Sequence, residues 1–209
     1  ENHIARQSYL HRGIERSLEG GPTKRTVHLI EAIAGDTAVG HSIAHCQLVE
    51  ALTDKEVSAR GHALRAVALE LERIANHAGD LGALAGDIGY LPAAAYCGRI
   101  RGDLLNLALA ACGNRMGLGW IRPGGATMDF DPEAAKALSE SVARAVSDLE
   151  RSFNLIRKNA TVRARLEETG TLPRDTCKAL GLVGPAARAS GVERDVRRDN
   201  PLGTYSSVA

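Results

Sequence analysis

Aromatic side chains are scarce in this chain: its 209 residues include one Trp, two Phe and four Tyr, 3% in all. So small a supply argues against a β-sandwich core, while abundant alanine and leucine favour close helix–helix packing. An excess of charge of either sign is also lacking, with 26 Lys and Arg against 25 Asp and Glu. That balance argues against a nucleic-acid binder working by bulk electrostatics. No apolar run is long enough to span a bilayer, and the polar start ENHIARQSYLHRG does not read as a signal peptide. Cys46, Cys97, Cys112 and Cys177 are scattered without CxxC spacing. Such a set reads as reduced, mostly buried thiols in a cytosolic setting. Gly117-Leu118-Gly119 lacks the strand before it and the helix after it that a dinucleotide fingerprint needs, so no direct NAD site is expected.

What is present is helical pattern. Leu10–Leu18 is a short candidate helix that Gly20-Gly21 stops. A second is expected from Thr23 to about Ala34, broken by Gly35-Asp36, and a third from about Ala38 to Leu52. Thr53-Asp54-Lys55-Glu56 reads as a capping box opening the longest helix, which ends near Asp87. Along it Val57, Leu64, Leu71, Ala78 and Ala85 recur every seven residues, with Val67, Ile74, Leu81 and Ile88 as a companion row. Pro92 starts the next helix, about Ala93–Ala111, and Gly113 closes it. The glycine- and proline-rich stretch around Trp120 predicts a short strand or hairpin. Asp131-Pro132-Glu133 is a strong helix start, followed by Ala135, Leu138, Val142, Ala145, Leu149, Phe153 and Ile156 at helical spacing over about seven turns. Leu172-Pro173 opens a brief helix that Gly181 ends. The tail Gly184–Tyr205 has no clear period.

Several segments carry a family resemblance. Tyr9-Leu10-His11-Arg12-Gly13-Ile14-Glu15 is similar to the G-Y/F-L-H-R-G-I/M-E motif shared by respiratory complex I and the energy-converting hydrogenases. Glu72-Arg73-Ile74-Ala75-Asn76-His77 with Gly79-Asp80-Leu81-Gly82 resembles the long-helix motif of that group. Asn114-Arg115-Met116 through Gly124-Gly125 resembles its N-R-x…R-P-G-G segment, and Leu180–Gly191 its L-G-x-x-G-P-x-x-R-A-S-G segment. Leu29–Leu52 resembles the stretch holding the first metal-binding cysteine pair of nickel–iron hydrogenase large subunits, roughly E-R-I-C-G-x-C-S/T-x-x-H. Glu31, Ile33, Gly35, Ala38 and His41 keep the frame, but Ala34 and Thr37 stand at the cysteine positions. A soft thiolate site cannot be rebuilt from a methyl and a hydroxyl.

The resemblance implies a mainly α fold: a hydrogenase large-subunit-like helical bundle with long central helices and a few short strands or hairpins. Residues 1–209 read as a single such domain, a piece of a larger chain. The implied function is a subunit of a membrane-associated oxidoreductase complex related to NADH:quinone oxidoreductase and the energy-converting hydrogenases, forming the quinone- or proton-reduction cavity without a nickel–iron centre of its own. A catalytically silent assembly module is the alternative. Implied partners are a small iron–sulfur subunit carrying the clusters and membrane subunits, with no nucleic acid and no membrane span of its own. No cofactor bound by this chain is expected, quinone is a candidate acceptor, and the place is the cytoplasmic face of the inner membrane.

Among site residues, Glu15 falls where nickel–iron hydrogenases have a proton-shuttling glutamate. A carboxyl in an apolar setting is suited to that task, whereas a solvated glutamate paired with Arg12 or Arg16 is the plain alternative. Gly35 stands where complex I has a quinone-contacting tyrosine, and Asp36 beside it is either a cavity carboxylate or a loop cap. His41, the second-shell histidine of the hydrogenase pattern, shares a helix face with His45, so the pair is either a metal site or a polar stripe. Arg188 belongs to the tail motif that in the family runs toward the buried site and the iron–sulfur subunit.

Overall fold

The computed structural model describes residues 12–201 and 203–208. In chain order the elements are α1 (Ile14–Leu18), α2 (Thr26–Glu31), α3 (Ala38–Thr53), α4 (Ala59–Asp87), α5 (Leu91–Cys112), β1 (Ile121–Arg122), β2 (Gly125–Ala126), α6 (Pro132–Lys158), α7 (Ala160–Leu166), α8 (Arg174–Ala179), α9 (Gly184–Ala189), α10 (Val196–Asp199) and α11 (Tyr205–Val208). The mainly α bundle implied by the sequence is borne out, with one hairpin among the described residues. Tyr9, Leu10 and His11 of the first motif lie outside the described residues.

Small side chains set the spacing of the long helices. Ala75 and Ala78 of α4 pack on Ile100, Leu104 and Leu105 of α5 and on Ala145 of α6. Toward one end, Ala85 meets Ala93, Ile156 and Val162. At the other, Ala68 and Leu71 join Ala111, Val39 and Cys46 of α3, and Trp120 and Ile121. Residue numbers rise along α4 as they fall along α5, so the two run antiparallel, and α6 reverses again. A Cβ at Gly82 would come 3.1 Å from the Cβ of Cys97, so the α4–α5 crossing uses the missing side chain. Trp120 is fully buried, with Phe130 edge-on to it at 6.1 Å.

The hairpin pairs Ile121 with Ala126 and Arg122 with Gly125 in antiparallel register. Pro123 and Gly124 make its two-residue turn, with Gly124 at φ +94°, where an L side chain would be strained. The Asp131 carboxylate accepts from the Ala134 amide at 2.7 Å and caps α6, followed by Pro132, as the sequence pattern anticipates.

Four expectations need correction. Thr53 opens no helix: it is the last residue of α3, its hydroxyl donates to the Val49 carbonyl at 2.8 Å, and Asp54 turns the chain at φ +50°. The N-cap of α4 is Ser58, whose Oγ accepts from Gly61 N at 3.1 Å, so Val57 precedes the helix. Helix α2 ends at Glu31, short of Ala34, because the next amides turn back to carbonyls three residues earlier and Arg12 takes the carbonyls of Ala32 and Ile33. On α4 the row Val67, Ile74, Leu81 and Ile88 is no better than half-buried. Arg65, Ala68 and Ala75 take the core place instead, since α6 lies mainly along α5 and leaves that flank of α4 partly open. The tail forms short helices, α9 to α11, too brief to show a period.

The two caps make a direct test. Ser58→Ala should lower the unfolding free energy by about 1 kcal/mol, whereas Thr53→Ala should stay within about 0.5 kcal/mol. Urea unfolding of both variants reads the difference, and equal losses would return the cap to Thr53.

Candidate functional site

The turn between α2 and α3, residues 32–37, is fastened from four sides. Arg12 donates to the carbonyl of Ala32 at 2.7 Å and also to that of Ile33. Asn76 of α4 donates to the Asp36 carbonyl at 2.6 Å. Arg101 of α5 pairs with the Asp36 carboxylate at 2.9 Å. Its stem crosses Gly79, where a Cβ would come within 3.0 Å of the Arg101 Nε. Finally, Glu72 of α4 accepts from the amides of Val39 (2.7 Å) and Gly40 (3.0 Å). Thr37 occupies the N-cap of α3 but makes no side-chain cap bond. Glu72 therefore caps α3 from another helix, at the positive end of the dipole. Burial is the largest influence on its carboxyl and pushes the pKa up, against the lowering effect of the two amides.

Two further glutamates bind the hairpin region to the helices, Glu31 at the end of α2 and Glu50 near the end of α3. Glu31, 3% exposed, accepts from Gly119 N at 2.8 Å and from Arg122 at 2.9 Å. Glu50 on α3 receives both arms of the buried Arg65 guanidinium, at 3.0 and 2.6 Å, together with Gly124 N at 2.6 Å. Arg65 also donates to the carbonyls of Arg122 and Gly125. Burial pushes the Glu50 carboxyl up, but the Arg65 fork and the Gly124 amide outweigh it and hold the pKa below 4.5.

Gly35 opens on a shallow cavity of about 550 Å³ with Arg12, His28 and Glu31 on one side and Met116 and Leu118 on the other. The two positions aligned with thiolates, Ala34 and Thr37, flank it in sequence. The His41 Nδ1 lies 2.7 Å from the Thr37 carbonyl, and since a carbonyl only accepts, the ring carries its proton on that nitrogen. The neighbouring Cys46 is wholly buried and its thiol is pushed up to about 11 by burial. A nickel–iron centre needs thiolates, and a methyl and a hydroxyl do not fit it. Among the described residues, no group of three or more His, Cys, Asp or Glu side chains is placed to hold a metal ion.

Gly35, Asp36 and His41 thus share one region. Glu15 is exposed on α1, in no apolar setting, and among the described residues it makes no ion pair with Arg12 or Arg16. Asp36 is exposed and engaged by Arg101. Arg188 is not brought to the turn: it lies on α9 beside a separate cavity and donates to the Arg194 carbonyl at 3.2 Å. Of the side chains that organise the region, Glu31 and Glu72 stand in the sequence motifs without an assigned role, and Glu50, Arg65 and Arg101 stand at no motif position. Glu72 and Asn76, four apart in a long apolar helix, were the available signal. All four cysteines are free thiols, and no helix among the described residues is long and apolar enough to cross a membrane.

Residues 87–209 match the pattern of the family described as "Respiratory-chain NADH dehydrogenase, 49 Kd subunit". The chain is 32% identical over 201 residues to a subunit of the NADH-quinone oxidoreductase of Clostridium beijerinckii, covering 94% of this chain and 53% of that protein. The corresponding protein of Mycobacterium tuberculosis is 32% identical over 200 residues, covering 94% and 45%. The chain thus spans about half the length of the curated relatives it matches. A chain in the structure of the membrane-bound sulfane sulfur reductase, an archaeal respiratory membrane complex, superposes with a TM-score of 0.89 at 24% identity, over 96% of this chain and 54% of that one. That likeness speaks for the fold.

Glu50 and the half-buried Glu72 give a pH signature. Glu50, lowered in the fold, contributes stability above its unfolded value of 4.5 that is lost as the pH falls through the folded value. Glu72, raised in the fold, acts the other way: its contribution is complete below 4.5 and fades as the pH rises through its folded value. Glu50→Gln should therefore flatten the acid limb of the stability curve. At neutral pH it should cost about 3 kcal/mol, because Arg65 is left with an unpaired buried charge. Denaturant unfolding from pH 3 to 7 reads both effects, and an unchanged acid limb would remove Glu50 from this role.

Proposed function

We propose, because this chain belongs to the respiratory-chain NADH dehydrogenase 49 Kd subunit family, that it forms one wall of the reaction cavity in a membrane-associated oxidoreductase complex and holds no nickel–iron centre of its own. The observation that carries this reading is the α2–α3 turn: main chain fixed by Arg12, Glu72 and Asn76, the Asp36 carboxylate held by Arg101, and Gly35 facing an open cavity. A fixed backbone beside open space suits the positioning of an acceptor that arrives from outside the chain. The named function of the Clostridium relative, NADH-quinone oxidoreductase, makes quinone the first candidate acceptor. Electrons would come from clusters in a neighbouring iron–sulfur subunit. Membrane subunits complete the assembly, and the chain sits peripherally on the cytoplasmic face.

In that cavity Gly35 leaves room for the acceptor; outside its lining, His41 would offer its second ring nitrogen, and Asp36 and Glu15 would be the carboxylates for proton delivery. Arg188, expected on the cofactor side, lies on α9 apart from this cavity. In the isolated chain Glu15 is exposed and Asp36 is paired with Arg101. That pairing favours a second reading, the catalytically silent assembly module, in which neither carboxylate moves a proton.

Gly35 separates the two readings. A Cβ built there meets nothing within 4 Å, so Gly35→Leu is sterically compatible with the fold. In the assembled complex it should leave subunit content unchanged and lower electron transfer to quinone by at least about tenfold, as a displaced reactant would. Turnover equal to that of the unaltered complex, with full assembly, would support the silent module.

A further inference from the structure

A second cavity, of about 460 Å³, lies between the α3–α4 pair and the C-terminal segment, and it shares no lining residue with the cavity at Gly35. Its floor is apolar, with Ile43 of α3 and Ala66 and Leu69 of α4. Its walls are cationic. Arg73 and Arg197 approach Glu70 at 3.0 and 3.4 Å, and Arg197 also pairs with Asp195 at 2.8 Å. Arg188 donates to a main-chain carbonyl, and among the described residues neither Arg188 nor Arg194 belongs to an ion pair. Arg65, also on the wall, is matched by Glu50. The other four guanidinium groups stand against two carboxylates, Asp195 on the wall and Glu70 behind it, an excess of two positive charges.

The outer wall is tied shut at defined points. The Tyr205 hydroxyl donates to Glu70 at 2.6 Å. Gly203, at φ +57°, lies against the ring of His62 so closely that a Cβ would fall 2.7 Å from Nδ1. Glu70 thus accepts from Arg73, Arg197 and Tyr205 together and fixes the tail over α4. A concave wall with unmatched guanidinium charge focuses an anion's field, and the planar fork of arginine suits phosphate oxygens. Inorganic phosphate alone would leave the apolar floor uncovered, whereas an aliphatic chain would fill it.

We propose that this cavity binds a phosphate monoester carrying an aliphatic chain, with its dianion between Arg188 and Arg194 and its chain on Ile43 and Leu69. The proposal is independent of the reading given to the α2–α3 turn. Such a phosphate could belong to a soluble ester or to a lipid headgroup, and both sources share this chemistry.

Isothermal titration calorimetry of the full chain with octyl phosphate tests it. Saturable binding at one site is expected, at least about tenfold tighter than inorganic phosphate, since an eight-carbon chain adds apolar burial. Arg188→Gln combined with Arg194→Gln removes two exposed cations that support no fold contact beyond one main-chain bond. It should weaken binding by at least about tenfold. Vesicles of phosphatidylcholine with and without phosphatidic acid separate the sources. Sedimentation with the phosphatidic acid vesicles, lost in the double variant, assigns a lipid; octyl phosphate binding without sedimentation assigns a soluble ester. No saturable heat with octyl phosphate, or equal affinity in the double variant, overturns the proposal.

Discussion

One carboxylate, that of Glu72, decides where the α2–α3 turn sits. It reaches from the middle of α4 to the first amides of α3 and satisfies two donors that no residue of α3 can satisfy. The approach works only because residue 40 is glycine: a Cβ there would lie 3.3 Å from the carboxylate and 2.9 Å from the Thr37 methyl. Burying the charge is unfavourable, and the raised pKa records that tension. What offsets it is geometric, since the helix dipole and two amides converge on one group. Glu31 and Glu50 repeat the device at the hairpin, each holding a backbone amide together with an arginine. Three glutamates, beside the one apolar seat of Trp120 and Ile121, thus join the irregular layer to the helices.

This economy explains which parts of the fold were legible in the sequence. Helix α6 announces itself, because its cap, its proline and its apolar row all lie within one local stretch. Helix α5 is legible from Pro92 at its start and Gly113 at its close, its partner α4 from the buried row Leu64, Leu71, Ala78 and Ala85, and the hairpin from Pro123 and Gly124. The misread features are those whose partners are distant. Thr53 has the residue type of a cap, yet Glu50 three residues earlier is drawn to Arg65 and Gly124, α3 continues through Thr53, and Asp54 leaves it in a left-handed turn. The early end of α2 depends on Arg12, about twenty positions away. The buried row of α4 includes Arg65, which a hydrophobic pattern skips but a buried ion pair requires.

The candidate site divides in the same way. The replacements at positions 34 and 37 and the open space at Gly35 follow from the linear pattern. The fastening of that loop does not, since the groups that matter on it are carbonyls and amides, which every residue has. Side chains that seek backbone partners leave no complementary signature at the other end. Asp36 illustrates the limit. As a type it suits a loop cap or a cavity carboxylate, and its actual partner, Arg101, comes from α5 by way of the bare surface at Gly79.

That fastening bears on how the loop holds its place with a methyl and a hydroxyl at residues 34 and 37. In a thiolate site the metal is itself a crosslink, and removing it ordinarily frees the segment it tied. Here every tie on residues 32–40 is made by protein: Arg12 on two carbonyls, Asn76 on a third, Arg101 on a carboxylate and Glu72 on two amides. Three of those four residues project from α4 and α5, the most tightly packed pair in the bundle. The loop's position is therefore tied to the packing of those two helices. Changes at exposed positions of the turn, Gly35 first among them, can therefore alter the cavity beside it while Glu72 and Gly40 keep the backbone fixed.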